Sequence, residues 1–309
     1  MKIMKKACYF LLLLMLLSML VGCQQNDSKD ENQFNIVTSF YPMYIATSNI
    51  VEGIENVKLT NMTNTEVGCL HDYQLTTRDM NVLERADVFI INGGGMESFI
   101  DKAISAYPEI AIVNASEGIL EEHEKLEHGT SGLDETGHHH GQNAHIWVSV
   151  SMYIEQIKNI ANELGKIDVE NQEKYLANAE AYITKLETLK TKMHEELEGL
   201  EHRNMVTFHE AFEFFAEEFD LNVVAVIERE PGTSPSAGEL AQIIETVKKT
   251  EASAIFVEPQ YESSVANVIV QETNRPVYTL DPIVTGELQK DAYETVMRQN
   301  LEVLKEALK

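Results

Sequence analysis

The stretch 76-TTRDMNVLERADVFIINGGGMESFIDKAISAYPEIAIVNAS-116 decides the fold. Residues 76–86 have apolar side chains at helical spacing, and residues 87–95 form an apolar run that ends in three glycines. Residues 96–107 again have helical spacing, and residues 111–116 are a second short apolar run. Short apolar strands that alternate with helices are typical of βα units, in which the strands form a parallel sheet covered by helices.

The same alternation continues on both sides of this stretch. Upstream, FNIVTSFYPMYI (34–45) predicts a strand followed by a helix, with Thr38 or Ser39 as the cap of the helix. Downstream, Ser236 and Glu239 have the spacing of a capping box at the start of another helix. Further strands are predicted at 57–63, 204–210, 221–228, 252–259 and 276–283, and further helices at 211–219, 236–250, 263–273 and 292–308.

Residues 150–200 contain the longest helical pattern, which Gly165 and Asp168 divide into two pieces. The second piece has the apolar spacing of one long amphipathic helix. We therefore predict an α/β protein with two similar lobes, each a parallel β-sheet flanked by helices, joined by a long rigid helix. The predicted boundaries are 34–150 for the N-terminal lobe, 151–203 for the helical connector and 204–309 for the C-terminal lobe.

The N-terminus has the pattern of an export signal. Three lysines precede an apolar run, and Leu-Val-Gly-Cys at 20–23 resembles the bacterial lipobox, in which the cysteine becomes a lipidated first residue. The apolar run is at or below the ~17–20 residues that a membrane-spanning helix needs, so residues 1–22 are predicted to be a signal peptide. Cys23 is the predicted lipidation site, and the polar residues 23–33 are predicted to be a disordered tether.

This N-terminus gives an expectation about location. We expect the chain outside the cytoplasm of a bacterium, held to the lipid bilayer through acylated Cys23, at the outer face of a Gram-positive membrane. Of the three cysteines, Cys8 leaves with the signal and Cys23 carries lipid, so Cys69 cannot form an internal disulfide. We also expect the protein to be a monomer.

The composition excludes nucleic acid as a partner. The chain has 24 basic and 50 acidic residues and a formal net charge of −26. Binding to nucleic acid needs clustered lysine and arginine, which this balance does not provide.

The ten histidines suggest a metal site. Three of them, His71, His145 and His209, come just after a predicted strand or at an element boundary, and Asp281 follows a fourth strand. Because ligands bind outside the carboxyl ends of strands in open α/β sheets, these four side chains could meet in a cleft between the lobes. Another five lie in an acidic segment, 117–143, predicted to be a long loop: His123, His128, His138, His139 and His140.

Five segments, spread over nearly the whole mature chain, match one known pattern: TSFYPMYIATSNIVEG (38–53), LHDYQLTTRDMNVLERADVFIINGGGMESFIDK (70–102), AHIWVSV (144–150), FHEAFEFFAEEFDL (208–221) and VEPQYESSVANVIVQETN (257–274). They resemble the zinc- and manganese-binding solute-binding proteins of ABC transporters. The resemblance implies two lobes joined by a rigid helix, a metal in the cleft, and a permease with its ATPase as partners. It also implies a binding protein rather than an enzyme.

The resemblance implies His71, His145, His209 and Asp281 as the metal ligands. Three imidazoles and one carboxylate suit Zn²⁺, whereas Mn²⁺ prefers oxygen-rich sites, so zinc is expected over manganese. Cys69 and Leu70 stand where an acidic residue and a proline often precede the first histidine, and Ala144 replaces a proline.

Several other side chains near this site keep two interpretations open. Asp72, Glu210 and Glu258 either orient the ligands or are solvated acids. Cys69 lies two residues from His71, and its thiolate is an alternative zinc ligand. The histidines of the acidic segment form either a weak secondary metal site or a solvated spacer.

A zinc hydrolase is the rival class of function. Its HExxH signature is missing, because HEKLEH (123–128) is one residue too long and HEAFE (209–213) has no second histidine. The sequence also lacks a GxSxG motif, a phosphate-binding loop and GxGxxG. A surface adhesin is a third hypothesis, because some members of the resembling family bind host molecules, but no segment identifies a host partner.

Overall fold

Two parallel sheets form the frame of the protein. The structure is a computed structural model that describes residues 33–128, 143–227, 236–249, 252–260 and 264–309. Each sheet has four strands, and every pair of neighbouring strands is parallel. No helix within these described ranges is both long and apolar enough to cross a membrane.

The first sheet has the order β2-β1-β3-β4. Its strands are β1 (Phe34–Thr38), β2 (Val57–Asn61), β3 (Val88–Ile91) and β4 (Ala111–Asn114). The helices that follow β1, β2, β3 and β4 are α1 (Tyr41–Ile50), α2 (Thr77–Leu83), α3 (Ile100–Ala106) and α4 (Ile119–His128). The apolar run that ends in three glycines is thus a central strand, and all four β3 residues are buried.

The second sheet repeats this arrangement with the order β6-β5-β7-β8. Its strands are β5 (Asn204–Thr207), β6 (Asn222–Val226), β7 (Ala254–Val257) and β8 (Val277–Thr279). The accompanying helices are α7 (Glu213–Glu218), α8 (Ala237–Lys249), α9 (Ser264–Thr273) and α10 (Ala292–Ala307). The same strand order in both halves confirms the prediction of two similar α/β lobes.

Two helices connect the two sheets along the chain, α5 (Val150–Ile167) and α6 (Gln172–Leu197). A turn around Asp168 separates them, and the Asp168 carboxylate accepts hydrogen bonds from Tyr175 and Asn171 at 2.7 and 2.8 Å. The predicted long helix is α6. Of the two residues predicted to divide the region, Asp168 ends α5, whereas Gly165 lies within that helix. The core face of α6 consists of buried side chains at helical spacing: Tyr175, Ala179, Tyr182, Ile183, Leu186, Leu189, Met193 and Leu197.

The structure corrects two details of the sequence analysis. The segment predicted to be a loop at 117–143 begins with α4, and residues 129–142 lie outside the described part. Acids in the first turn of α4 favour a helix start, a signal that the polar composition concealed. Neither Thr38 nor Ser39 caps α1; their hydroxyls donate instead to Asn61 and Glu97.

Candidate metal centre

Asn143 orients His145 in the segment that leads into α5. Its side-chain oxygen accepts hydrogen bonds from the His145 backbone N–H at 3.0 Å and from the ring Nδ1 at 2.8 Å. An amide oxygen can only accept, so Nδ1 carries the proton and Nε2 keeps its lone pair. The same amide donates to the Glu210 carbonyl at 3.0 Å and to the Glu213 carboxylate at 2.8 Å. Asn143 therefore fixes both the tautomer of His145 and its position against the C-terminal lobe.

His209 faces His145 from the other lobe. It follows β5 and Phe208, and its Nε2 lies 3.0 Å from Nε2 of His145. Both imidazoles are fully buried. Two imidazole nitrogens at this separation either share one proton or bind one cation together.

His71 stands beside this pair. Its ring centroid lies 5.2 Å from that of His145, and its Nε2 is a buried atom without a hydrogen-bond partner in the described structure. His71, His145 and Glu210 each offer one ligand atom, and these three atoms lie within 4.8 Å of one another. His145 is thus the residue that both histidine contacts share, with His71 and Glu210 in one cluster and His209 in the other. The sequence analysis left Glu210 open between an orienting residue and a solvated acid.

Cys69 belongs to a second cluster around the same imidazole. Its Sγ lies 3.4 Å from Nε2 of His145. The ligand atoms of Cys69, His145 and His209 all lie within 4.8 Å of one another. Nε2 of His145 is therefore close to both a second imidazole and a thiol.

Asp281 lies in neither of these two clusters of described residues. It comes two residues after β8, where its backbone N–H donates to Asn300 at 3.0 Å and its carboxylate accepts from the Ile283 N–H at 2.8 Å. Burial raises the pKa of Asp281 above its usual range. Burial, together with the charge of nearby Asp281, also raises the pKa of Glu258 to about 8.

The electrostatics suit a site for a cation. Burial, then the neighbouring His209 and His71, hold the pKa of His145 well below its usual range. His145 is therefore neutral at physiological pH, which is the state that binds a metal. Glu258 is a buried acid whose Oε1 has no hydrogen-bond partner in the described structure. Asp72 is exposed, which fits the solvated interpretation.

The glycine turn after β3 supports the segment that carries His145. The buried carboxylate of Glu97 accepts from the N–H groups of Asn92 and Gly93 at 2.8 and 3.1 Å. The Asn92 amide then donates to the Ala144 carbonyl at 2.9 Å. Gly93 has φ +81°, and a Cβ there would lie 1.9 Å from the side chain of Asn114, so only glycine fits.

Trp147 connects the histidines with the Asp281 loop, a role that the sequence analysis missed. Its ring lies 5.2 Å from that of His145 and packs edge-on against Phe40 at 5.1 Å. The indole N–H donates to the Pro282 carbonyl at 2.7 Å, and the Trp147 carbonyl accepts from Tyr293 at 2.9 Å. The one hint of this role in the sequence was that Trp147 lies two residues after the candidate ligand His145.

His123, from the acidic segment, lies in neither of the two clusters of described residues. His123 on α4 binds the Glu217 carboxylate at 2.9 Å and packs edge-on against Phe214. His128 ends α4. The three consecutive histidines, His138, His139 and His140, lie outside the described residues.

The fold and the centre together define a two-lobed solute-binding protein with a candidate metal site between its lobes. Residues 36–307 match the family described as the zinc-uptake complex component A, periplasmic (ZnuA), and the chain belongs to this family. Membership confirms the family that the sequence resembles. It also supports a location outside the cytoplasm.

Individual relatives agree with the family. The chain is 31% identical over 289 residues to the high-affinity zinc uptake system protein ZnuA of Bacillus subtilis. This alignment covers 91% of this chain and 89% of the relative. It is 30% identical over 299 residues to the zinc-binding lipoprotein AdcA of Streptococcus pneumoniae R6, covering 93% of this chain. The chain spans 58% of the length of AdcA.

A solved structure with the same fold contains a different metal. The binding protein FpvC from Pseudomonas aeruginosa, in complex with Mn²⁺, superposes with a TM-score of 0.75 at 26% identity. The match covers 89% of this chain and 98% of FpvC. The fold alone therefore does not select between zinc and manganese.

Proposed function

We propose that this protein is the extracytoplasmic zinc-binding component of a metal ABC transporter, which captures Zn²⁺ between its lobes and delivers it to a membrane permease. The observation that carries the proposal is the pair of fully buried imidazoles, His145 and His209, one from each lobe, with their Nε2 atoms 3.0 Å apart. A cation bound there joins the two lobes. The names of the ZnuA and AdcA relatives support zinc as this cation.

The proposed ligands are His71, His145 and His209, with the carboxylate of Asp281 as a fourth. Neutral imidazoles are good zinc ligands, whereas manganese prefers sites richer in oxygen. The low pKa of His145 keeps this imidazole neutral and available. Manganese is the alternative cargo, which the FpvC complex supports.

The proposal also includes partners and an anchor. The cargo would pass to a permease driven by an ATPase, since the family is the binding component of such transporters. Acylated Cys23 would hold the monomeric protein to the outer face of the membrane. Because the cation is cargo, binding must be reversible once the permease is engaged.

Metal analysis with titration tests the proposal. We expect the purified protein to bind one Zn²⁺ per chain and to prefer zinc to manganese in competition. His209→Ala should weaken zinc binding by at least about tenfold, because the loss of even an outer-shell partner costs that much. The matched control is His202→Ala, an exposed histidine outside the centre. Wild-type affinity in His209→Ala, or tighter binding of manganese than of zinc, would contradict the proposal.

A further inference from the structure

We propose that the thiolate of Cys69 is a ligand of the transported cation, so that the centre is a mixed sulfur and nitrogen site. The inference rests on the proposed function, because it concerns the same centre. The thiolate and the three histidines make a set of four ligands, in which Cys69 takes the position proposed above for Asp281, a residue that lies in neither cluster of described residues. This set also gives a chemical reason for preference among cations.

The geometry around His145 fits a tetrahedral zinc site. Zn–S bonds of ~2.3 Å and Zn–N bonds of ~2.0–2.1 Å give tetrahedral edges of about 3.6 Å for S···N and about 3.3 Å for N···N. The observed distances are 3.4 Å from Cys69 Sγ to His145 Nε2 and 3.0 Å from that nitrogen to His209 Nε2. All three ligand atoms lie within 4.8 Å of one another. A cation above this triangle would therefore reach all three without large movements.

The fold holds the three side chains in place. Asn143 occupies Nδ1 of His145 and leaves Nε2 for the cleft. Cys69 is followed by Leu70, which is fully buried and whose N–H donates to the sulfur of Met96 at 3.3 Å. The thiol is thus attached to an anchored segment, while His145 and His209 are fully buried.

Coordination by Cys69 needs no oxidant or reductant. The S–H bond breaks, the sulfur forms a bond to the cation with the electron pair that it keeps, and the proton goes to solvent. A soft thiolate selects zinc over manganese, which prefers carboxylate, carbonyl and water oxygens. The ligand set would therefore itself discriminate between the two candidate cargoes.

Cobalt spectroscopy on the full-length chain tests this ligand directly. With Co²⁺ bound, the wild-type protein should have a near-ultraviolet charge-transfer band from sulfur to cobalt, and Cys69→Ser should lose it. His202→Ala is the control, which removes an exposed histidine outside the centre and should keep the band. Cys8 and Cys23 are present in all three proteins, so the difference reports on Cys69.

Zinc and manganese titrations give a second measurement. Cys69→Ser should weaken zinc binding by at least about tenfold, since even outer-shell changes have that effect, and should leave manganese binding within about threefold of wild type. Zinc should also slow the alkylation of Cys69 by iodoacetamide at least about tenfold, read by mass spectrometry of the peptide containing it. The alkylation uses the wild-type protein, so it remains decisive if Cys69→Ser fails to fold.

The inference and the proposed function fail in different ways. If Cys69 is no ligand, the wild type binds zinc tightly, the cobalt band is missing, and zinc does not protect the thiol. If the proposed function is wrong, the wild type itself binds no zinc tightly and His209→Ala changes nothing.

Discussion

At the residue scale, Asn143 determines which nitrogen of His145 faces the cleft. Its amide oxygen accepts from Nδ1 at 2.8 Å, so replacing it frees the ring to rotate and to change tautomer. We expect Asn143→Ala to weaken zinc binding about 10–100-fold, as measured by competition with a chelator. Glu213→Gln is the control, because a glutamine oxygen still accepts from the Asn143 amide. Unchanged affinity in Asn143→Ala would mean that packing alone orients the imidazole.

Glu258 predicts a pH dependence of stability. Its pKa is raised from 4.5 to about 8 in the folded protein, by burial and then by Asp281. Between these two values the folded state holds a proton that the unfolded state has released, so this group lowers the free energy of unfolding as the pH rises. Glu258→Gln cannot ionise and removes the effect.

We therefore expect metal-free Glu258→Gln to gain stability relative to wild type from pH 5 to pH 8, as measured by urea unfolding. The titrating groups that do not interact with Glu258, such as His145, act in both proteins and cancel in the difference. The exposed Glu272→Gln should follow the wild-type curve. A constant difference between Glu258→Gln and wild type across this range would contradict the assignment.

Single residues also show how much of the centre the sequence could predict. His71, His145 and His209 could be chosen as candidate ligands because each follows a strand or begins an element, and the carboxyl ends of parallel strands meet at one edge of the sheet. The contact of Asn143 with Nδ1 depends on a turn of two residues, and the 3.4 Å approach of Cys69 depends on tertiary packing. Neither leaves a periodic signal, so sequence reasoning kept Cys69 only as an alternative.

At the scale of elements, periodicity predicted most of the frame. Strands buried on both faces, such as β3, appear as continuous apolar runs, and α6 has an apolar stripe between charged residues. The missed element was α4, in which acids and histidines mask the helical spacing. His123 of α4 packs edge-on against Phe214, which comes from the other lobe. Contacts between residues so far apart in the chain leave no pattern in the local sequence.

The connector helix α6 gives a prediction that separates stability from binding. Leu186 is fully buried on its core face, and truncating a leucine in a core costs about 2–5 kcal/mol. We expect Leu186→Ala to lose this much free energy of unfolding in denaturant titrations, while the exposed Thr188→Ala stays within about 0.5 kcal/mol of wild type.

Because α6 supplies none of the proposed ligands, zinc affinity of folded Leu186→Ala should equal that of the wild type. A large loss of affinity would instead indicate that the connector sets the spacing of the lobes to within the tolerance of the metal site. In that case α6 would contribute to metal affinity by holding the two lobes at the correct distance.

At the scale of the whole molecule, several hydrogen bonds join one lobe to the other. Glu218 of the C-terminal lobe accepts from the hydroxyls of Ser149 and Ser151 at 2.7 and 2.6 Å, at the start of α5. On the other side, Trp147 donates to Pro282 at 2.7 Å. One apolar core cluster also includes residues from both lobes and from α6. We infer that the lobes and connector unfold together.

Zinc should therefore stabilise the whole molecule rather than one lobe. A ligand that binds only the folded state adds about 2.7 kcal/mol to the free energy of unfolding when its concentration is about 100 times Kd. Since His145 and His209 belong to different lobes, this gain requires both lobes to be folded and in contact. Differential scanning calorimetry with and without zinc should give one transition that moves to higher temperature.

The variant His209→Ala separates this linkage from nonspecific effects of the metal. Without the His209 imidazole, zinc loses a main proposed ligand from the C-terminal lobe and binds more weakly, so the same zinc concentration should move the transition much less. Zinc bound only by the surface of this acidic protein, with a formal net charge of −26, would shift both proteins equally. A zinc shift in the wild type that splits the transition in two would mean that the lobes fold independently and that the cation holds only one of them.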